Sequence, residues 1–253
     1  MDASTRAVLT AVLSALVAAT AFTEDVDALA HLGRGPVMGA AVLLAVAIAV
    51  GWPVLLQLPN PLGSGAVIAL GGVGAVLTVT ATRGHPLLRE LAVVVALAVL
   101  LSFVNELARQ DGRRRLVESL AGTVTGVLVA TAAAGWVSAG RAPGGTSLVV
   151  TGAVALAVAA AVSAVPLGGY LGSMVTGGAS VVAGAAVGAV MPDLDLLVGA
   201  VIGLAMGVLV AALHALFDRQ PALRSKVAAL AVIALPVSVS GILVYVVGRV
   251  LVV

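Results

Sequence analysis

The sequence predicts an all-α fold: a polytopic bundle of nine transmembrane helices forming a single transmembrane domain. Three observations carry this. Of 253 residues, 61% are hydrophobic and only 9% charged, where an ordinary soluble domain has about 45–50% and about 25%. A soluble particle of this size cannot hide so much apolar surface. The charged and turn-forming residues cut the chain into nine apolar stretches, each near the about 20 residues a membrane helix needs, and the connections are too short for a soluble domain.

The first span, 6–22, begins at Arg6. Ala7 to Ala18 also has the length of a signal-peptide core, with Ala19-Thr20-Ala21 as a small-residue cleavage site. Asp2 weakens the positive start such a signal needs, so a retained helix is expected; cleavage would leave eight spans in the same orientation. Thr23 followed by Glu24, Asp25 and Asp27 reads as the capped start of a short surface helix, acids being favourable at a helix N-terminus. Val26, Leu29 and Leu32 would then face the membrane. Span two, 37–57, and span three, 63–82, flank Pro59-Asn60-Pro61, and Gly84-His85-Pro86 precedes span four, 89–107. Span five, 116–137, follows a polar link. Ala142-Pro143-Gly144-Gly145 leads into span six, 147–165, and Pro166-Leu167-Gly168-Gly169 into span seven, 170–191. Met191-Pro192-Asp193-Leu194 separates span eight, 195–217, from span seven, and span nine covers 227–250. Within span nine Pro236 predicts a kink whose freed carbonyls the hydroxyls of Ser238 and Ser240 can satisfy.

Basic loops stay cytoplasmic, and this orients the bundle. With the N-terminus inside, Arg6, Arg109, Arg113, Arg114, Arg115, Arg219, Arg224 and Lys226 are cytoplasmic, while Arg34, Arg83, Arg89, Arg141 and Arg249 are outside with the acidic loop Glu24 to Asp27. The bases are nearly all arginine and the apolar residues mostly Ala, Val, Leu and Gly, the bias of GC-rich codons, so a bacterial cytoplasmic membrane of actinomycete type is expected. Net charge is only +2, too little for a nucleic-acid-binding surface. The absence of cysteine excludes disulfides, thiolate metal sites, iron–sulfur clusters and cysteine nucleophiles.

Lipid tails are as apolar as leucine, so membrane helices associate where small residues let backbones approach. Four-residue rows of this kind run along span seven as Ser180, Gly184 and Gly188, and along span eight as Gly199, Gly203 and Gly207. Span five repeats the device with Gly122, Gly126, Ala130 and Ala134. These three spans are expected to form the tight centre. A shift of 113 residues superimposes Gly39 on Gly152, Pro53 on Pro166, Gly65 on Gly178 and Gly71 on Gly184, which reads either as a parallel duplication of 37–137 in 147–250, as in many transporters, or as coincidence in a chain with 30 glycines.

The richest polar segment is the link from Asn105 to Ser119. Glu106, Arg109, Asp111, Arg113, Arg114, Arg115 and Glu118 are the candidate headgroup or anion contacts, because arginines clamp phosphate and carboxylates hold a cation or act as bases. The same residues also suit a topology anchor, with arginines on lipid phosphates. Asp193 and Asp195 have the spacing of a minimal metal pair but read more simply as an N-cap and a first-turn acid of span eight. His31, His85 and His214 are scattered. No acidic residue lies near the middle of a span, where coupled transporters usually place ionisable groups. P-loops, His-Glu-x-x-His and nucleophile elbows are absent. No catalytic residue, metal site or cofactor is expected.

Arg114-Arg115-Leu116-Val117-Glu118-Ser119-Leu120-Ala121-Gly122 resembles the Lys-Lys-Thr-x-Glu-Gly stretch of phosphatidate cytidylyltransferases. The likeness covers about nine residues, and the later metal- and nucleotide-binding stretch of that family has no counterpart, so it carries over no catalytic role. Asp111-Gly112 alone does not make the CDP-alcohol phosphotransferase signature. Gly51-Trp52-Pro53, Arg109 to Arg113 and Val244 to Arg249 resemble a set of uncharacterised actinobacterial multi-pass membrane proteins, which implies a polytopic bundle and no particular activity. The functional expectation is a non-enzymatic, permease-like or envelope-associated protein handling a lipidic or weakly polar molecule, with membrane lipids as partners and no nucleic acid. The alternatives are a lipid-headgroup or nucleotidyl transferase using Glu106 to Glu118, and a structural subunit of an envelope complex.

Overall fold

The computed structural model describes residues 3–22, 35–110, 115–165, 167, 169–217 and 225–252. The surface helix expected after Thr23, along with Asp111, Arg113 and Arg114, lies outside them. Ten helical elements follow in order: α1 (Ala3–Phe22), α2 (Gly35–Leu55), α3 (Pro61–Ala81), α4 (Leu91–Leu107), α5 (Leu116–Ala132), α6 (Ala134–Gly140), α7 (Gly145–Ser163), α8 (Gly169–Val190), α9 (Leu196–Phe217) and α10 (Lys226–Leu251). No strand occurs among the described residues. The protein is an all-α, multi-pass membrane bundle. Among the described residues, eight helices are long and apolar enough to cross a bilayer, with α5 and α6 taken as one. The ninth, α4, has 17 residues and a length of about 25 Å, at the lower limit for a span. Leu43, Leu62, Leu70, Val93 and Leu197 point outward, more than half exposed, as lipid-facing side chains do.

Each predicted span coincides with a helix, and the caps explain the boundaries. Pro61 occupies the first turn of α3, where its missing N–H costs nothing, and the Asn60 side chain caps that helix by accepting from the Gly63 N–H at 3.2 Å. Ser225 caps α10 in the same way through the Ala228 N–H. At the end of α2 the Leu58 N–H reaches the Pro53 carbonyl at 2.9 Å and the Gln57 N–H reaches that of Val54 at 3.3 Å. This is a Schellman closure with Gln57 in the left-handed position, φ +51°. A side chain there is strained. Gln57→Gly is therefore expected to raise stability by about 0.5–1 kcal/mol, seen as a higher melting temperature in detergent; an unchanged or lower value would count against the strain.

Span five is broken. At Ala133 the ladder tightens, with the Ala133 N–H bonded to Ala130 and the Trp136 N–H to Ala133, a 3₁₀-type turn. It seats α6 on α10 at the closest backbone approach in the centre: a Cβ on Gly135 would overlap the main chain of Gly241 and Ile242. The Trp136 indole then donates to the Val237 carbonyl at 2.7 Å.

The packing centre differs from the expected one. It is built on α7 and α10, which carry long runs of buried residues, together with α2 and the α5–α6 pair. The rows of α8 and α9 do meet: a Cβ on Gly184 would strike the Gly199 carbonyl and the Gly203 backbone, and one on Gly188 would lie 2.8 Å from the Gly199 Cα. However, α8 buries only Thr176, Ser180, Gly184 and Gly188, so the pair is a peripheral hairpin docked on α7. Span five packs instead on α3, α10, α2 and α4. The row marks a close approach between two helices, and close approach is equally available at the edge of a bundle. Across the two halves, α3 packs along α5, whereas α8 packs along α7 and α9.

Around Pro236 the carbonyls are served by neighbours more than by the nearby serines. Thr10 of α1 donates to Ile233 at 3.3 Å, and Trp136 joins Ser240 on Val237; the buried Ser238 hydroxyl has no hydrogen-bond partner among the described residues. Asp195, not Asp193, caps α9, its carboxylate accepting from the Val198 N–H at 2.7 Å, while Asp193 accepts from Ser147 at the start of α7. The turn after Pro192 runs two residues further than expected before the helix starts. On the same face Arg141 donates to the carbonyls of Val79, Thr80 and Thr82, closing the end of α3.

Candidate functional site

Two polar regions stand at the end of the bundle that also holds the start of α1. The first lies among α3, α4 and α5. Helix α4 buries one stripe, Ala98, Ser102 and Glu106, at four-residue spacing, so the acid turns inward on the same face as the small residues. Its carboxylate forms an ion pair with Arg109 one turn on, both side chains under 5% exposed, and its other oxygen accepts from the Ser119 hydroxyl of α5 at 2.5 Å. One turn deeper, the Thr123 hydroxyl lies 2.9 Å from that of Ser64 on α3. Asn60 donates to the Asn105 side-chain carbonyl at 3.1 Å. Gly63 makes room for this contact, because a Cβ there would collide with both amides. The seam ends in the apolar layer of Ile68, Ala98 and Val127.

Of the expected headgroup contacts, the structure thus gathers Glu106 and Arg109 inside, facing each other. Arg115 and Glu118 pair separately at the surface, 2.5 Å apart and about half exposed, and Arg115 also donates to the Gln57 carbonyl. Buried charges are costly in a bilayer unless matched. Here the carboxylate meets a guanidinium and a hydroxyl, an arrangement suited to joining α4 to α5.

The second region was not legible in the sequence. A cavity of about 640 Å³ opens between the start of α1, the end of α7, the first two turns of α8 and the last two turns of α9. Ser4, Ser163, Tyr170, Ser173, Thr176 and His214 give it polar groups, and Ala164, Val165, Gly172, Ala211 and Ala215 give it apolar walls. Its size falls within the range of small-molecule sites. Three of the hydroxyls are committed to main-chain carbonyls: Ser4 to Ala164 at 3.1 Å, Ser163 to Ala160 at 2.8 Å and Ser173 to Gly169 at 3.5 Å. A smaller pocket of about 60 Å³ adjoins it, sharing Ala3, Ser163 and His214 and adding Arg6 and Thr10. The Nε of Arg6 is buried and has no hydrogen-bond partner among the described residues. These residues come from four separate helices with no motif among them; the one available signal was that Arg6 and His214 fall at helix ends on the same predicted side.

No group of three or more metal-binding side chains occurs among the described residues. No protein-family model, curated protein or solved structure matches the chain.

Proposed function

We propose that this chain is a non-enzymatic protein of a bacterial cytoplasmic membrane, its N-terminus on the cytoplasmic side, that holds a lipidic molecule in the cavity between α1, α7, α8 and α9. The observation that carries the reading is that cavity: about 640 Å³, apolar along its walls, hydroxyl-lined, and placed at the ends of apolar helices where an amphiphile's head and chain part company. The orientation rests on the basic residues of that end. Beyond the cavity the helices are closed by Ile202 and Met206, both fully buried, so the molecule is held at one end of the bundle in this conformation.

The transferase alternative draws less support from the geometry. It needs carboxylates and arginines converging on an open space, whereas Glu106 and Arg109 spend their charges on each other. The test is purification from native membranes followed by mass spectrometry of the bound lipids and proteins, with Gly172→Leu as the comparison. A Cβ at Gly172 meets only Leu167, at 3.7 Å or more, so a side chain can start from this cavity-lining position without a backbone clash. A co-purifying lipid that the variant loses is expected. Equal lipid in both proteins would reject the site, and stoichiometric protein partners with no bound lipid would favour a structural role.

A further inference from the structure

We infer that the occupant of this cavity is an anionic glycerophospholipid whose phosphate is bound by Arg6, with an acyl chain lying along the groove between α7 and α8; this rests on the reading that the cavity holds a lipid. Arg6 stands one turn into α1, at the inner pocket that joins the groove, and its Nε is withdrawn from solvent without a hydrogen-bond partner among the described residues. No carboxylate among the described residues answers it. The described acids at this end of the bundle are Glu106 and Glu118, and both are paired with other arginines. A guanidinium with its Nε buried among apolar helices calls for an anion, and the anion present at the headgroup level of a bilayer is lipid phosphate, which matches the planar donor set of arginine.

The lining also sets the sign of the head. No acidic side chain borders either pocket among the described residues, so the ammonium of a zwitterionic lipid has no partner, while a head with net negative charge leaves nothing unmatched. The serines give their protons to helix carbonyls, which leaves the charge to Arg6. Small residues, among them Gly169, Gly172 and Ala211, keep the groove open for a chain.

The test is native mass spectrometry of the full chain released from nanodiscs of phosphatidylglycerol or of phosphatidylcholine with matched acyl chains. One retained phosphatidylglycerol per chain is expected, with weaker retention of phosphatidylcholine. Arg6→Gln should lower phosphatidylglycerol retention by about tenfold or more, and Arg6→Lys should restore part of it. Gly172→Leu should lower retention of both lipids. Retention of both lipids equally, or retention that Arg6→Gln leaves unchanged, would overturn the inference while leaving a lipid-binding cavity. Retention of neither would overturn the cavity reading itself. Thermal protection in detergent by inorganic phosphate alone, equal to that by phosphatidylglycerol, would overturn the lipid as the source of the phosphate. If Arg6→Gln does not fold, the lipid comparison on the unaltered chain and on Gly172→Leu still decides between these outcomes.

Discussion

Gly199→Val is expected to force α8 away from α9 and to cost about 3 kcal/mol or more. Already at the Cβ the substitution meets the Gly184 carbonyl, and the Gly188 Cα stands 3.0 Å away. Both obstacles are main chain, so no rotamer change relieves them; one helix has to move. In lipid there is no competing hydrophobic gain from burial, and the contact that is lost is the packing that holds the pair together. Gly178→Ala is the control. It lies on the facing helix α8, but nothing stands within 4 Å of its Cβ, so its melting temperature in detergent should match the unaltered protein or exceed it. Similar melting for Gly199→Val and Gly178→Ala would refute the close approach.

Glu106→Leu is the second substitution with a large expected effect. It removes the carboxylate that faces Arg109 in the interior and the acceptor of the Ser119 hydroxyl. Breaking a buried ion pair from one side costs about 3–5 kcal/mol, whereas replacing both partners by apolar groups of similar size is often close to neutral. Glu106→Leu with Arg109→Leu should therefore recover most of the stability lost by Glu106→Leu alone, and a double-mutant cycle by thermal denaturation measures the coupling. Ser119→Ala should cost about 1.5–3 kcal/mol, being one hydrogen bond to a buried carboxylate. Additive losses across the cycle would mean that the two residues act independently and that α4 is held by its small-residue stripe alone.

The spans were legible because nearly all the charges and most of the prolines fall between them or at their ends; Asn60-Pro61 marks a helix start as plainly in the sequence as in the structure. The four-residue rows likewise announced a close approach. Their place in the bundle was hidden, since a helix facing lipid and a helix facing protein use the same residues. Nothing in composition sets α7 and α10, among the more enclosed helices, apart from α8 at the edge. The break at Ala133 sits in a run of alanines and small residues with no proline to signal it. Glu106 looked like a boundary charge because it stands at the end of α4. Its inward direction follows from helical phase with Ala98 and Ser102, a weak signal when every face is apolar. The cavity depends on four helices whose lining residues are as far apart as Ser4 and Ala215, a distance that no local pattern bridges.

The contact of α6 with α10 also bears on how the bundle is made. Trp136 and Gly135 find their partners at Val237, Gly241 and Ile242, about a hundred residues further along the chain, and Gly51 of α2 packs against the backbone of α10 at Ala231. While the ribosome is still producing α7 to α9, the indole proton of Trp136 lacks its carbonyl and two glycine surfaces lie uncovered. The interior is completed only when α10 enters the membrane, so release of the chain before that helix would give eight inserted segments around a missing post.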